Sequence, residues 1–186
     1  ENTTIVFWSD HGFFLGEHGF WCKHHTFQEA IHVPLIVSSP GMKSNIQSDA
    51  LVEYVDIYPT ISELAGLDPP KYIHGKSFVP LLKNPNLNFK EQIYSRYQFR
   101  EVVQDKEYSY HEILYYPETQ KNKYGAKTHI PGTKIVVTQK MLFDMKNDKN
   151  QSINISDYPE NKNIVEKYSR KLKNMRDFSE NKIYIE

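Results

Sequence analysis

The chain is organised around the segment Ser9-Asp10-His11-Gly12-Phe13-Phe14-Leu15-Gly16-Glu17-His18-Gly19-Phe20-Trp21-Cys22-Lys23. This segment directly follows Ile5-Val6-Phe7-Trp8, a run of β-branched and aromatic residues that is typical of a buried strand in a parallel sheet. In open α/β sheets, ligands bind at the loops that leave the carboxyl ends of such strands. Asp10 and His11 lie at this position, so the pattern predicts that they hold a metal or an anion.

The Asp-His-Gly triplet alone allows a second interpretation. It is also compatible with a simple turn, in which Asp10 bonds to its own backbone and Gly12 supplies a positive φ. The complete segment, however, contains three glycines, two histidines and a terminal lysine, Lys23, which is more than a turn requires. We therefore expect a binding site here.

The segment resembles the second metal-binding segment of the type I sulfatases, the formylglycine-dependent enzymes of the alkaline phosphatase superfamily. Its pattern S-D-H-G-x-x-L-G-E-H-G-x-W-x-K is most similar to the iduronate-2-sulfatase-like branch and to bacterial polysaccharide sulfatases. Three later stretches, within residues 33–41, 55–82 and 142–159, resemble the same family in the same order. The resemblance therefore extends over most of the chain.

The order of the predicted elements indicates an α/β fold in two parts. Residues 5–8 and 34–38 are the two candidates for a parallel sheet, and such a sheet needs further strands reached by crossovers. We therefore expect residues 1–88 to be the C-terminal part of a larger α/β/α sandwich of the alkaline phosphatase type. Residues 89–186 are expected to form a small antiparallel sheet with a helix at 159–176 on one face. The strands predicted for this sheet are 92–97, 113–116, 135–138 and 141–143.

Charge is balanced over the chain but not along it. The 23 Lys and Arg equal the 23 Asp and Glu, so no net field steers a polyanion, and we expect no nucleic-acid partner. Residues 121–140 contain five lysines and no acid, whereas 101–118 is mostly acidic. Either run is compatible with a solvated face of the protein. The lysine run has an alternative interpretation, in which its side chains line the rim of a binding site and face an anionic glycan.

A single cysteine, Cys22, excludes an internal disulfide framework. The sulfatase family converts Cys or Ser in a Cys/Ser-x-Pro-x-Arg setting to formylglycine, and this setting is absent from the sequence. We therefore expect Cys22 to be a small packed side chain rather than a nucleophile. The resemblance implies that an N-terminal portion of the same enzyme supplies the formylglycine and the remaining metal ligands.

The residues alone leave the identity of the metal open. The Asp10 carboxylate suits Ca²⁺ or Mg²⁺, whereas the His11 imidazole by itself suits zinc or another transition metal. The resemblance implies Ca²⁺ with Asp10 and His11 as ligands, and Mg²⁺ or another divalent ion as less favoured alternatives. It also implies that Lys23 is catalytic, binding the sulfate group through its compact ammonium.

Further substrate contacts are predicted on both halves of the chain. His24 and His25 follow Lys23 directly, and one of them, His25 in our assignment, is expected to contact the sugar. The alternative is an exposed pair without a role. Lys127, with Lys123, is the predicted contact from the second half.

The sequence is compatible with three functions. The first is hydrolysis of sulfate esters on a sulfated carbohydrate, a glycosaminoglycan or marine-type polysaccharide, with a uronate 2-O-sulfate as one candidate. The alternatives are a phospho- or phosphonate-ester hydrolase of the same superfamily and a non-catalytic glycan-binding relative. No apolar run is long enough to cross a membrane and no signal peptide is seen. The resemblance implies a periplasmic, secreted or lysosomal enzyme.

Overall fold

The computed structural model describes residues 2–121, 127–130 and 133–181. The strands are β1 Ile5–Trp8, β2 Phe14–Leu15, β3 Trp21–Cys22, β4 Leu35–Ser38, β5 Ile93–Tyr97, β6 Arg100–Gln104, β7 Tyr108–Tyr115, β8 Thr119–Lys121, β9 Lys127–His129 and β10 Val136–Asp144. The α-helices are α1 Gln28–Ile31, α2 Ile57–Leu64, α3 Val79–Lys83 and α4 Lys162–Asn181. Short 3₁₀ helices cover Glu17–Gly19, Tyr54–Asp56 and Pro159–Asn161. None of the described helices is long and apolar enough to span a membrane.

Strand β1 pairs with β4 in an antiparallel ribbon, so the predicted parallel pairing is wrong for these strands. Leu35 and Val37 of β4 pack against the buried cluster formed by α2 and α3. The other face of the ribbon is open, and its apolar side chains are exposed: Ile5 59%, Phe7 60% and Ile36 61%. The predicted burial of β1 is therefore also wrong in the described part of the chain, because a second layer covers only one face of the ribbon.

The second half folds as predicted, into an antiparallel sheet with a C-terminal helix on one face. The strand order is β10-β7-β6-β5. Helix α4 packs on this sheet through a buried cluster of Val103, Tyr110, Leu142, Val165, Tyr168 and Leu172. The two strands predicted at 135–138 and 141–143 are one continuous strand, β10, and β6 was not predicted.

The opposite face of this sheet packs against the segment that contains Asp10 and Lys23. Side chains alternate across a strand, so Arg100, Gln104 and His111 share this face of β6 and β7. A buried cluster joins the two layers: Phe14, Phe27, Ala30, Met141 and Phe143. The sheet therefore fixes the position of the candidate site.

The acidic stretch 101–118 is only partly solvated, because Glu107 and Glu118 are exposed whereas two other acids are buried. Glu101 and Glu112 lie opposite each other on β6 and β7 and are 0% and 3% exposed. Arg176 of α4 donates its Nε–H to Glu101 at 2.7 Å and an Nη2–H to Glu112 at 2.9 Å. Two adjacent carboxylates remain buried because the Arg176 guanidinium hydrogen-bonds both of them and Arg96 adds a second cation 3.4 Å from Glu101.

Candidate active site

The loop after β1 is held in place by close backbone packing. The Gly12 N–H donates to the Ala30 carbonyl at 2.9 Å, and a Cβ atom on Gly12 would lie 1.8 Å from the Glu29 carbonyl oxygen. Only glycine fits at this position. The Ser9 hydroxyl donates to the His11 carbonyl at 2.7 Å, and the Tyr54 hydroxyl donates to the Ser9 carbonyl. These contacts fix Asp10 and His11 relative to α1.

The hydrogen bonds of His11 define which ring nitrogen has a free lone pair. Its Nδ1 lies 2.7 Å from the Gly12 carbonyl oxygen, which can only accept, so Nδ1 carries the proton. Nε2 is then an acceptor, and it lies 3.4 Å from Oδ2 of Asp10. In a metal-binding histidine, the ring nitrogen that does not bind the metal usually donates its N–H to an acceptor such as a backbone carbonyl.

A short hairpin returns Lys23 to His11. Strands β2 and β3 pair antiparallel, and the turn between them uses Gly16 and Gly19 at φ 125° and 73°, conformations that glycine adopts readily. The Lys23 Nζ donates to Nε2 of His11 at 2.6 Å. The structure thus brings Asp10, His11 and Lys23 together in one polar corner, as the sequence predicted for their positions.

The corner fits part of a cation site. The side chain of Asp10 is 83% exposed and that of His11 is 31% exposed, so the corner is open to solvent. It offers a carboxylate and an imidazole lone pair. In residues 2–121, 127–130 and 133–181, no group of three or more His, Cys, Asp or Glu is placed to hold a metal. Because Ca²⁺ takes six to eight ligands, Asp10 and His11 fit as two of them, and the others have to come from elsewhere.

His25 is part of an aromatic stack and is only 6% exposed. Its ring stacks on Phe20 at 4.6 Å and on Phe27 at 4.4 Å, and Phe27 in turn stacks on His18 at 4.3 Å. Burial, together with the charges of Arg100 and His18, lowers the pKa of His25 to about 4. Neighbouring rings occupy both faces of His25, so this position lends no support to the predicted sugar contact, and the alternative of an exposed pair is wrong for His25.

His111, which the sequence did not single out, lies directly below this stack. It is 1% exposed, and its Nε2 lies 2.9 Å from the Ser109 hydroxyl and 3.3 Å from the Gln151 amide nitrogen. Since the amide NH₂ only donates, Nε2 accepts, and Nδ1–H donates to Thr26 at 3.2 Å. Burial, followed by the charges of His25 and His18, lowers the pKa of His111 to about 3.

We expect the protein to lose stability as the pH falls below about 6.5. His25 and His111 bind protons less well in the folded state, with pKa values of about 4 and about 3, than at their ordinary value of 6.5. The unfolded state therefore binds more protons below pH 6.5, and the stabilisation is lost progressively as the pH falls towards 4. The expected loss is on the order of 2 kcal/mol per imidazole, measured as the unfolding free energy in urea.

A pair of histidine substitutions separates this effect from the titration of carboxylates. His25→Phe keeps a ring in the stack and removes its proton-binding nitrogen, so the pH dependence should become shallower. His32→Phe, at an exposed position, is the matched control and should leave the pH dependence unchanged. An identical slope in His25→Phe and in the unmodified protein would contradict the assignment.

Two further predictions concern Cys22 and Lys127. Cys22 is exposed, with φ 69°, rather than packed, because it lies on the short β2–β3 hairpin, whose strand β3 is exposed at both residues.

Lys127 begins β9, but its side chain lies outside the described part of the structure, and Lys123 lies outside the described residues altogether. The predicted contacts of Lys127 and Lys123 with substrate stay predictions.

Tyr54 is a neighbour of the corner that sequence reasoning missed. Its hydroxyl holds the Ser9 carbonyl, and burial, with the charge of Asp10, raises the pKa of that hydroxyl. The two residues are 45 positions apart along the chain. Since Tyr54 lies outside every recognisable motif, no local signal pointed to it.

Two solved structures share the fold of the chain. One is a protein in complex with its substrate D-glucosamine-2-N,6-O-disulfate, at 24% identity and a TM-score of 0.75, over 94% of this chain and 34% of that chain. The other is a phosphonate monoester hydrolase from Silicibacter pomeroyi, at 21% identity and a TM-score of 0.73, over 93% of this chain and 34% of that chain. The chain therefore shares the fold of these two proteins, and its mixed sheets and helices agree with the predicted α/β class.

The sequence comparisons identify the family. A family model described as "N-sulphoglucosamine sulphohydrolase, C-terminal" matches residues 16–178, and the chain belongs to this sulfatase family. Arylsulfatase K of Mus musculus is 30% identical over 161 residues, which are 86% of this chain and 28% of that protein. N-acetylglucosamine-6-O-sulfatase of Bacteroides thetaiotaomicron is 42% identical over 85 residues, which are 45% of this chain and 15% of that protein. The match thus spans less than a third of either relative.

Proposed function

We propose that this chain is the C-terminal part of a sulfatase that hydrolyses a sulfate ester on a sulfated carbohydrate. The observation that carries the proposal is the corner in which Nε2 of His11 lies 3.4 Å from Asp10 Oδ2 and 2.6 Å from Lys23 Nζ. Membership in a sulfatase family supports the reaction type. The relative named for N-acetylglucosamine 6-O-sulfate hydrolysis supports a glycan substrate. A 6-O-sulfated glucosamine and a 2-O-sulfated uronate are the candidate substrates.

The corner suits the charge that develops during sulfate-ester hydrolysis. Negative charge builds on the sulfuryl oxygens and on the leaving oxygen, so fixed positive groups stabilise the transition state. The Lys23 ammonium donates up to three hydrogen bonds and is already directed into the corner by His11. Asp10 and His11 are proposed to hold Ca²⁺, which when bound withdraws charge from the sulfuryl oxygens.

The ammonium of Lys23 and a bound cation compete for the same lone pair of His11. In the structure Lys23 donates to Nε2 of His11, the atom that would bind the metal. Where His11 holds a cation through Nε2, the Lys23 ammonium would donate to a sulfate oxygen instead of to His11. The proposed role of Lys23 is therefore to position the sulfate group next to the cation held by Asp10 and His11.

The remaining chemistry is assigned to an N-terminal portion of the same enzyme. No side chain in this chain is proposed as nucleophile, and Cys22 lacks the setting that is converted to formylglycine. The proposed partners of the chain are that N-terminal portion, with its formylglycine, and the sulfated oligo- or polysaccharide. A periplasmic, secreted or lysosomal location is part of the same proposal.

We expect the full-length protein to release inorganic sulfate from a sulfated monosaccharide in a Ca²⁺-dependent manner. The measurement is sulfate release from glucosamine 6-sulfate and from a 2-O-sulfated uronate, before and after chelation and after Ca²⁺ is added back. Elemental analysis of the same samples reports the metal content independently of activity. Asp10→Asn should lower the bound calcium, because it removes an anionic ligand.

Two controls define the limits of this proposal. The isolated chain should be inactive, because the proposed nucleophile lies outside it. A phosphonate monoester should be hydrolysed more slowly than the sulfate esters, although the fold is shared with a phosphonate monoester hydrolase. Faster turnover of the phosphonate, or a full-length protein that retains no metal and releases no sulfate, would overturn the assignment.

A further inference from the structure

We propose that the β5–β6 hairpin forms a second anion-binding subsite, in which Arg100 binds a further sulfate or carboxylate group of the glycan. This inference rests on the proposed function, because it places the subsite next to the sulfate bound at Lys23. It assigns a binding role to a residue of the second half of the chain. The sequence had instead predicted Lys127 for such a contact.

The hairpin lies against the residue that follows Lys23. The ring of His24 stacks on the ring of Tyr97, with the centroids 5.3 Å apart and the planes 8° from parallel. Tyr97 ends β5 and lies directly opposite Arg100, the first residue of β6. Arg100 also shares a sheet face with His111 and is close enough to His25 for its charge to lower the pKa of that histidine. The cation therefore lies on the same side of the sheet as the polar corner.

Among the residues that the structure describes, Arg100 has no carboxylate partner of the kind that Arg96 and Arg176 have. Arg96 and Arg176 both contact Glu101, at 3.4 Å and 2.7 Å. None of the ion pairs between residues 2–121, 127–130 and 133–181 includes Arg100, and its buried Nε has no hydrogen-bond acceptor among them. A buried donor without an acceptor destabilises the protein, so an anionic ligand that supplies the acceptor would bind favourably there.

The surroundings of Arg100 hold the guanidinium in place without neutralising it. Its Cζ lies 4.4 Å from the centroid of the Phe99 ring, and burial lowers the pKa of the guanidinium. Gln98, at the tip of the hairpin, has a φ of 52°, a left-handed conformation that is unfavourable for a residue with a side chain. The tight turn keeps Tyr97 and Arg100 opposite each other. A planar, preoriented fork of donors is suited to a carboxylate or a sulfate.

The ligand chemistry follows from the two cations. His24 follows Lys23 directly, and Tyr97, on which the His24 ring stacks, lies opposite Arg100. A ligand that contacts both cations therefore spans this ring pair and must carry two anionic groups separated by an apolar or ring-shaped body. Stacked aromatic rings offer such a body a surface on which its C–H groups can pack. A sugar with one sulfate ester and a second sulfate, or with one sulfate ester and a carboxylate, has these features.

The test is the preference of the full-length protein for dianionic over monoanionic probes. The probes are glucosamine 6-sulfate, glucosamine 2-N,6-O-disulfate, a 2-O-sulfated uronate and the 2-O-sulfated hexose that lacks the carboxylate. KM is measured for each probe that is hydrolysed, and Kd by calorimetry for each that is not. In Arg100→Met the preference for the dianionic member of a pair should fall about tenfold. Arg100→Lys should retain part of it, and Arg170→Met, an exposed arginine on α4, should retain all of it.

The outcomes separate this inference from the proposed function. If Arg100→Met loses its preference only in the glucosamine pair, the second group is a sulfate. If it loses its preference only in the uronate and hexose pair, the second group is a carboxylate. Equal preference in Arg100→Met and the unmodified protein overturns the subsite, even if sulfate is released. Preference that depends on Arg100 without any sulfate release supports the subsite and contradicts the sulfatase assignment. The melting temperature of each variant shows whether the fold is retained, and an unfolded Arg100→Met leaves Arg100→Lys to decide.

Discussion

Lys23→Ala is expected to lower kcat/KM of the full-length protein for sulfate esters by about 10²–10³-fold, the usual effect of removing one preorganised donor to a developing charge. The Lys23 side chain is exposed, and the hydrogen bond to His11 is its described contact. Its loss therefore removes a positive charge from the corner without opening a cavity. Steady-state kinetics and a thermal melt on the same preparation report activity and folding separately.

Two matched variants make the result specific. Lys43→Ala removes the same charge from an exposed loop far along the chain and should leave kcat/KM within about twofold, as for most surface substitutions. Lys23→Arg keeps the charge but replaces a compact ammonium with a planar fork, so only partial activity is expected. A Lys23→Ala protein with nearly normal kcat/KM would exclude the assigned role of this lysine.

The second large effect concerns stability. Arg176→Leu should destabilise the protein by about 3–5 kcal/mol, because it leaves the buried carboxylates of Glu101 and Glu112 adjacent and removes the cation that hydrogen-bonds both. The Nε of Arg96, 3.4 Å from Glu101, is a counter-charge to that carboxylate alone. Burial raises the pKa of Glu101 even though Arg176 acts in the opposite direction, so the carboxylate depends on its partner. Glu112 also accepts hydrogen bonds from Tyr110 at 3.0 Å and Ser169 at 2.9 Å. These bonds satisfy oxygen atoms but supply no positive charge.

Urea unfolding at neutral pH measures this change in free energy. Arg170→Leu, on the same helix but exposed, is the control and should change stability by less than about 0.5 kcal/mol. Adding Glu101→Gln and Glu112→Gln to Arg176→Leu should restore part of the loss, because neutral amides are cheaper to bury than carboxylates. A loss below about 1 kcal/mol in Arg176→Leu would show that water or another group stabilises the two carboxylates.

Features that depend on neighbouring residues in the chain were predictable. The residues of the segment 9–23 predicted a binding site, and within this segment the turn at Gly16 and Gly19 returns Lys23 to His11. The spacing of apolar residues in 159–176 predicted helix α4 with an inward stripe, which packs on the sheet. In each case the sequence pattern and the structure that it forms involve residues that are close together in the chain. Local periodicity and turn residues were therefore sufficient to predict the structure.

Features that depend on distant partners were not predictable. The antiparallel pairing of β1 with β4 was missed because an apolar run does not specify the direction of its neighbour. The burial of His25 was missed because its ring is enclosed only when the site segment packs on the sheet of the second half. His24 likewise contacts Tyr97, 73 positions further along the chain, through that packing.

The sequence by itself determined the sulfatase family resemblance and the α/β class, because these follow from the order of motifs and elements along the chain. It also indicated that Asp10, His11 and Lys23 lie together, because they belong to one continuous segment. Only the tertiary structure decided that Glu101 and Glu112 are buried, that Arg176 contacts both of them and that Arg100 has no such partner within the described part of the chain. The side chain of Arg176 reaches Glu101 across 75 positions of the chain. Whether a charge is buried or solvated depends on such a partner, and the folded backbone, not the local sequence, brings it there.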